Sequence, residues 1–238
     1  MKLKKHIPNA ITSMNLLSGV FGVIVTLQGR IDQAFLLMLA AAVFDFCDGF
    51  AARLLHAYSP VGKELDSLAD VVSFGVLPAL VLYRLMAFQV RGWIVFIPLI
   101  LAVFSALRLA KFNVDERQHS TFLGLPTPAA AMICGSLAYY VYNEQFTVMA
   151  QWCATVWFLP LLAVVLSVLL VSEIPMFSLK PAKDDPVAGI KRTAFISIIA
   201  IIGVMTLVLH FNWSMAVLMT FVAYVAMNLV FVCFKSTK

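Results

Sequence analysis

Four carboxylates stand close together in a chain that has only twelve acidic residues: Asp45, Asp48, Asp66 and Asp70. Asp45 and Asp48 are three residues apart, and Asp66 and Asp70 are four apart, so on helices each pair occupies one face. Two such helices side by side would bring all four carboxylates to one point. Divalent cations such as Mg²⁺ and Mn²⁺ prefer oxygen ligands of this kind. The spacing therefore predicts a metal site.

The helices that would carry these acids lie in a strongly apolar chain. Of the 238 residues, 62% are hydrophobic and 12% are charged, and the mean hydropathy is +0.96. Charged residues make up about a quarter of an ordinary soluble domain, so the composition excludes that class and predicts an all-α polytopic membrane protein. Acidic side chains inside a membrane are energetically expensive and indicate a functional site.

Eight apolar segments are long enough to cross the hydrocarbon core, which takes about 20 residues. We expect these spans at 11–28, 34–56, 64–87, 93–112, 124–142, 152–172, 193–210 and 213–234. The sequence thus predicts a single membrane domain over 1–238, an integral helical bundle of about eight transmembrane helices. We expect residues 1–143 to form the catalytic core, 173–192 a cytoplasmic linker, and 193–234 two C-terminal helices.

The orientation follows from the basic residues, because cytoplasmic loops carry an excess of Lys and Arg. With the amino terminus inside, fourteen of the seventeen basic residues face the cytoplasm, and only Arg30, Arg84 and Arg91 lie outside. Both termini are then cytoplasmic, and the four aspartates lie just below the cytoplasmic headgroups. The net charge of +5 is explained by this topology and by contact with anionic lipids, so no nucleic-acid partner is expected.

The residues between the two acidic pairs suit a phosphorylated nucleotide. Gly49 and Ala52 lie one turn apart on a small-residue face that a flat base or a backbone can approach. Arg53 follows at the membrane interface, where its guanidinium suits a phosphate. An ion- or proton-coupled transporter would also need intramembrane carboxylates, but it would not explain these three residues at their spacings.

The segment 45–70 resembles the signature of the CDP-alcohol phosphatidyltransferase family, D-x2-D-G-x2-A-R-x8-G-x3-D-x3-D. Every fixed position is matched, including Gly62 in the turn between the two helices. Further stretches resemble the phosphatidylserine synthase branch of that family: IPNAITSMNLLSG at 7–19, RLAKFNV at 108–114 and FLGLPTPAAA at 122–131. The three helices that follow carry no matching motif.

The resemblance implies a phospholipid-synthesising enzyme in the inner membrane of a prokaryotic cell, with its active site facing the cytoplasm. It would transfer the phosphatidyl group of CDP-diacylglycerol to the hydroxyl of L-serine and release CMP. The resemblance also implies a homodimer and two divalent ions, Mg²⁺ or Mn²⁺, with Asp45, Asp48, Asp66 and Asp70 as ligands. Asp70 would also act as the catalytic base.

Residues of two other helices complete the predicted site. Gly49, Ala52 and Arg53 are expected to bind CDP-diacylglycerol together with Asn9 and Thr12 of the first helix, where capping and helix packing are competing roles. Arg108 and Lys111 end the fourth span, so they either anchor it at the cytoplasmic surface or hold the serine carboxylate or a diphosphate oxygen. Glycerol 3-phosphate and an inositol phosphate stay open as other acceptors.

Overall fold

The computed structural model describes residues 6–88, 90–115, 122–153, 155–176 and 186–236. Within these residues the chain is almost entirely helical. The helices are α1 (His6–Leu27), α2 (Ile31–Leu54), α3 (Pro60–Asp70), α4 (Leu77–Ala87), α5 (Ile100–Val114), α6 (Thr127–Asn143), α7 (Val148–Cys153), α8 (Phe158–Val171), α9 (Pro186–Val208) and α10 (Trp213–Ser236). Strands β1 (Phe122–Leu123) and β2 (Pro175–Met176) form a short antiparallel pair.

Six helices of the described chain are long and apolar enough to cross a membrane. They are His6–Leu27, Ile31–Leu54, Pro60–Ala87, Trp93–Val114, Lys191–Val208 and Trp213–Val232. Each coincides with one of the eight predicted spans. A polytopic helical membrane protein is therefore what the described structure supports.

The other two predicted spans correspond to shorter helices. Segment 124–142 matches α6, which has 17 residues and is almost completely buried by its neighbours. Segment 152–172 contains α8, which has only 14 residues and at about 1.5 Å per residue is shorter than a hydrocarbon core of about 30 Å. The chain turns at Thr155–Trp157 before α8 and becomes extended at Ser172 after it. The count of eight crossings stays a prediction.

The predicted linker at 173–192 is partly helical, because α9 begins at Pro186. Proline suits the first position of a helix, where its missing N–H removes a donor that would have no partner. Residues 177–185 of this linker lie outside the described residues. Its first part runs from the end of α8 into β2.

The span that carries Asp66 and Asp70 changes its helical pitch at the second aspartate. Helix α3 begins after Ser59, whose side chain accepts a hydrogen bond of 3.0 Å from the backbone N–H of Gly62. A π-helical turn occupies Val71–Val76, directly after Asp70, and α4 continues from Leu77. Such turns are frequent at functional sites because they change the direction of the side chains around them.

Helix α1 packs against both α2 and α3, the two helices that carry the acidic pairs. Further from the acids, the core is filled by fully buried side chains such as Phe35, Met38 and Leu82. The ring of Trp213 at the start of α10 stacks on Phe35, with 5.5 Å between ring centroids, so α10 is part of the bundle. This packing fixes α1, α2 and α3 around a common site.

Candidate active site

Three of the four aspartates come together between α2 and α3. Asp45, Asp48 and Asp66 each place one carboxylate oxygen within 4.8 Å of the others. Asp48 is 5% exposed, and two buried oxygens, Oδ2 of Asp48 and Oδ1 of Asp66, have no hydrogen-bond partner. The i, i+3 spacing on α2 and the turn from α2 to α3 produce this cluster, which we call the carboxylate cluster.

The carboxylate cluster fits a divalent cation. Within the described residues, the electrostatic and hydrogen-bonding partners of these three acids include no Lys or Arg. Negative charges this close repel one another strongly away from bulk water, and a buried oxygen without a partner costs about 1–3 kcal/mol. An ion with oxygen ligands, such as Mg²⁺ or Mn²⁺, would remove both costs. The protein therefore offers Asp45, Asp48 and Asp66 as residues that could hold a metal.

Asp70 lies one turn beyond Asp66 and is not among the three mutually close acids. It is 8% exposed, and its Oδ1 accepts a hydrogen bond of 3.3 Å from Nδ2 of Asn15 on α1. Its charge interacts with those of Asp45 and Asp66 and with that of Arg108 on α5. The charge of Asp70 thus interacts with those of the carboxylate cluster and of a basic residue of α5.

A cavity of about 420 Å³ adjoins the carboxylate cluster. We call it the nucleotide cavity, after the ligand that the sequence predicts for its lining residues. Pockets for small molecules typically have about 300–1,000 Å³. Residues of α1, α2, α3 and the α2–α3 turn line it, among them Asn9, Thr12, Asp48, Gly49, Ala52, Arg53, Tyr58, Gly62, Lys63 and Asp66. All five residues that the sequence assigned to CDP-diacylglycerol therefore face one cavity beside two of the metal-ligand candidates.

Two glycines of this cavity have different surroundings. A Cβ at Gly62 would lie 2.9 Å from both Oδ1 of Asn9 and Oγ of Ser59, so glycine allows α1 to approach the first turn of α3 closely. A Cβ at Gly49 would have nothing within 4 Å, because that position faces open space in the cavity. Gly62 thus serves packing, whereas Gly49 leaves room for a ligand.

Arg108 and Lys111 do not line the nucleotide cavity. They line a second cavity of about 360 Å³, together with Asp115 at the end of α5 and residues 170–173 at the end of α8. Arg108 is 8% exposed, and its Nη1 donates a hydrogen bond of 2.7 Å to Oγ1 of Thr127. We call this space the α5–α8 cavity.

Several residues around the site were not assigned a role from the sequence. Lys63 lines the nucleotide cavity and donates to the backbone oxygen of Asn113 at 3.3 Å. Asn113 in turn donates to Oγ of Ser67 at 2.9 Å, which ties α5 to α3. Asn15 and Thr127 hold Asp70 and Arg108 respectively. Asn15 follows Asn9 and Thr12 at one-turn spacing on the first helix, a pattern that leaves nucleotide contact and helix packing open, and it does not predict the bond to Asp70. The contact of Thr127 joins two helices and has no signal in the local sequence.

Comparison with known proteins agrees with this geometry. The profile of the CDP-alcohol phosphatidyltransferase family matches residues 5–169. The chain is 38% identical over 208 residues to the CDP-diacylglycerol–serine O-phosphatidyltransferase of Mycobacterium bovis, covering 84% of this chain and 70% of that relative. It is 36% identical over 138 residues to the enzyme of the same name from Bacillus subtilis, covering 58% of this chain and 77% of the relative.

An archaeal relative has a related name. Over 135 residues the chain is 35% identical to the archaetidylserine synthase of Methanothermobacter thermautotrophicus, covering 55% of this chain and 56% of the relative. The profile match contains both acidic pairs, the residues that line the nucleotide cavity, and Arg108 and Lys111 of the second cavity, and it ends before α9. The chain belongs to the CDP-alcohol phosphatidyltransferase family.

Proposed function

We propose that this chain is a phospholipid-synthesising transferase that moves the phosphatidyl group of CDP-diacylglycerol to the hydroxyl of L-serine. The observation that carries the proposal is the carboxylate cluster at the wall of the nucleotide cavity. The names of the relatives from Mycobacterium bovis and Bacillus subtilis support serine as the acceptor.

In the proposed reaction, the serine oxygen forms a bond to the lipid-side phosphorus of CDP-diacylglycerol. The bond between that phosphorus and the bridging oxygen breaks, and CMP leaves with the electron pair on its phosphate. The hydroxyl proton goes to Asp70, which acts as general base. Its orientation by Asn15 suits this role, because proton transfer requires a positioned acceptor.

Asp45, Asp48 and Asp66 would hold the divalent metal, with Asp70 as a further ligand. We infer two ions, Mg²⁺ or Mn²⁺, as the family resemblance implies. When bound, they neutralise the diphosphate and stabilise the leaving CMP. The unpartnered oxygens of Asp48 and Asp66 support this assignment.

The nucleotide cavity would bind the CDP portion of the lipid substrate. Asn9 and Thr12 from α1 and Gly49, Ala52 and Arg53 from α2 line it. Arg53 is exposed at the end of α2, where its guanidinium can reach a diphosphate oxygen. The open space at Gly49 allows a flat base to approach the helix closely.

Arg108 and Lys111 would recognise the acceptor. Serine carries one carboxylate, and a buried guanidinium is well suited to a planar carboxylate. The electrostatic interaction between Arg108 and Asp70 supports an acceptor held next to the base. A diphosphate oxygen is the other possible ligand of Lys111.

For the whole protein, we propose a homodimer in the inner membrane of a prokaryotic cell, with eight crossings and both termini cytoplasmic. The excess of basic residues on one side of the predicted topology supports the orientation. The active site would then face the cytoplasm. CDP-diacylglycerol would enter from the bilayer and serine from the aqueous phase.

The proposal is tested with purified protein in detergent, supplied with CDP-diacylglycerol and Mg²⁺ or Mn²⁺. Release of CMP is measured with L-serine, glycerol 3-phosphate and an inositol phosphate offered separately. We expect rapid CMP release with L-serine alone, and no need for an ion gradient. Faster release with a phosphorylated acceptor would contradict serine specificity, and no CMP release with any acceptor would contradict the enzyme assignment.

A further inference from the structure

The α5–α8 cavity combines two basic and two acidic side chains. Arg108 and Lys111 come from α5, Asp115 ends that helix, and Glu173 follows α8. We propose that this cavity binds L-serine as a zwitterion, with Arg108 and Lys111 recognising the carboxylate and Glu173, assisted by Asp115, recognising the ammonium group. The inference rests on the proposed function and assigns a specificity residue that lies beyond the family profile, which ends at residue 169.

Arg108 is buried and held in place, and one of its nitrogen donors has no partner. Its side chain is 8% exposed, and Nη1 is bound to Thr127, but its buried Nε has no hydrogen-bond partner. A buried donor on a charged group is costly to leave unpaired. The side chain is fixed by Thr127 and by the ring of Phe112, whose centroid lies 5.5 Å from Cζ. Because Arg108 also lines the α5–α8 cavity, a carboxylate bound there would meet a guanidinium that is already held in place.

The α5–α8 cavity is linked electrostatically to the proposed base, Asp70, through Arg108. The charge of Arg108 interacts with that of Asp70, and Asp70 also interacts electrostatically with Asp45 and Asp66 of the carboxylate cluster. A small acceptor held by Arg108 is therefore bound by a side chain whose charge also acts on the proposed base. Lys111 and Glu173 are exposed, so the cavity is open to solvent, as a water-soluble acceptor requires.

The backbone around Glu173 is held in place by hydrogen bonds to the segment before α6. Residues 169–176 are fastened to residues 122–125 by the β1–β2 pair and by backbone hydrogen bonds of 2.9 Å, from Gly124 N to the Ile174 oxygen and from Leu125 N to the Leu169 oxygen. Gly124 has a φ of +76°, and a Cβ there would lie 2.8 Å from the oxygen of Ser172. Glu173 thus sits on a backbone that is held in place, which suits a recognition residue.

The two carboxylates of the α5–α8 cavity would also disfavour acceptors other than serine. An acceptor that carries phosphate and no ammonium group would place its negative charge near Glu173 and Asp115. Like charges in a shared site cost binding free energy, and specificity commonly depends on such a repulsive element. The same cavity would thus accept serine and discriminate against glycerol 3-phosphate.

The test compares Glu173→Gln with wild type, using L-serine and 3-hydroxypropionate, which is serine without its ammonium group. A hydrogen bond to a charged group is worth about 1.5–3 kcal/mol, which corresponds to roughly 10–100-fold in affinity. Because Glu173 is exposed, we expect the lower end, a rise of about 10-fold in the serine KM. The KM for CDP-diacylglycerol should stay within about twofold of wild type, and the KM for 3-hydroxypropionate should not rise, because this anion loses no ammonium contact and is relieved of repulsion by Glu173.

Glu64→Gln is the matched control, because Glu64 is exposed and lines neither cavity. Glu173→Asp keeps the charge and should restore much of the serine affinity, which a variant that only damages folding would not show. An unchanged serine KM in both Glu173→Gln and Asp115→Asn would overturn the inference while leaving serine transfer by the wild type intact. A wild type that does not use serine would overturn the proposed function as well.

Discussion

The side-chain amide of Asn15 donates a hydrogen bond of 3.3 Å to Oδ1 of Asp70, across 55 positions of the sequence. Both side chains are buried. The backbone oxygen of Asn15 accepts a second bond, of 3.1 Å, from the hydroxyl of Ser73 in the π-helical turn. Together these bonds hold α1 against the point where α3 ends, so Asn15 orients the carboxylate that we propose as the base.

Replacing Asn15 with alanine should lower kcat and leave the KM for CDP-diacylglycerol nearly unchanged. Residues that orient a functional side chain typically contribute about 10–100-fold, and we expect a loss in that range. The matched control is Ser13→Ala on the same helix, whose exposed hydroxyl donates a hydrogen bond to the backbone oxygen of Asn9. A kcat for Asn15→Ala within twofold of this control would contradict a positioning role.

Asp70→Asn should bind CDP-diacylglycerol but transfer it to serine very slowly. Amide replaces carboxylate at almost the same size and Asp70 does not line the nucleotide cavity, so the lipid site persists while the proton acceptor is lost. General bases contribute about 10²–10⁴-fold, and kcat should fall within that range. Single-turnover transfer and equilibrium binding of the lipid substrate are the two measurements. Near-normal turnover would remove Asp70 from the role of base.

Metal binding should be visible as thermal stabilisation, independent of activity. A metal at about 100 times its Kd stabilises the folded state by about 2.7 kcal/mol, so Mn²⁺ added after chelation should raise Tm of the wild type. Asp48→Asn removes one ligand and relieves repulsion within the carboxylate cluster, so its Tm should respond far less to Mn²⁺. The control is Asp32→Asn in the first turn of the same helix. An equal Mn²⁺ response in all three proteins would contradict the metal site.

The two glycines of the nucleotide cavity should respond differently to alanine. Gly49→Ala should keep the Tm of the wild type, because the new methyl group meets no atom within 4 Å, but it should raise the KM for CDP-diacylglycerol. Gly62→Ala should lower Tm as well, because Asn9 and Ser59 must move away from the methyl group. A Gly49→Ala variant with unchanged lipid KM would show that the ligand does not occupy that space.

Replacing Arg108 with glutamine should raise the serine KM more than the KM for CDP-diacylglycerol. The loss of a charged hydrogen-bond donor to a carboxylate is worth about 1.5–3 kcal/mol, which is roughly 10–100-fold in serine affinity. The exposed Arg30 in the α1–α2 turn provides the control, as Arg30→Gln. If serine dependence does not change in Arg108→Gln, Arg108 serves only to anchor α5.

The sequence predicted the parts of the site that depend on local spacing. Asp45 and Asp48 meet because they share one face of α2, and Gly49, Ala52 and Arg53 reach one cavity because the same helix carries them. The hydrogen bond from the backbone N–H of Gly62 to the side chain of Ser59 is likewise local. These relations follow from helical periodicity alone, so they could be predicted without knowing how the helices pack.

Relations that depend on packing could not be predicted in this way. The bond between Arg108 and Thr127 joins two helices, and Glu173, which follows α8, lines the same cavity as Lys111 of α5. The shortness of α8 has no clear signal either, because 152–172 contains no charged residue and is apolar except for Thr155, Ser167 and Ser172. The π-helical turn after Asp70 depends on contacts such as that of Ser73 with α1, which the local sequence does not specify.

The most direct measurement is the amount of phosphatidylserine formed for each CMP released. Purified wild type in detergent is given CDP-diacylglycerol, L-serine and a divalent metal, and both products are quantified over time. We predict equal amounts of the two products, with neither formed when serine or the metal is omitted, nor in Asp48→Asn. Equal CMP release without serine, or undiminished phosphatidylserine formation in Asp48→Asn, would contradict transfer to serine at the carboxylate cluster.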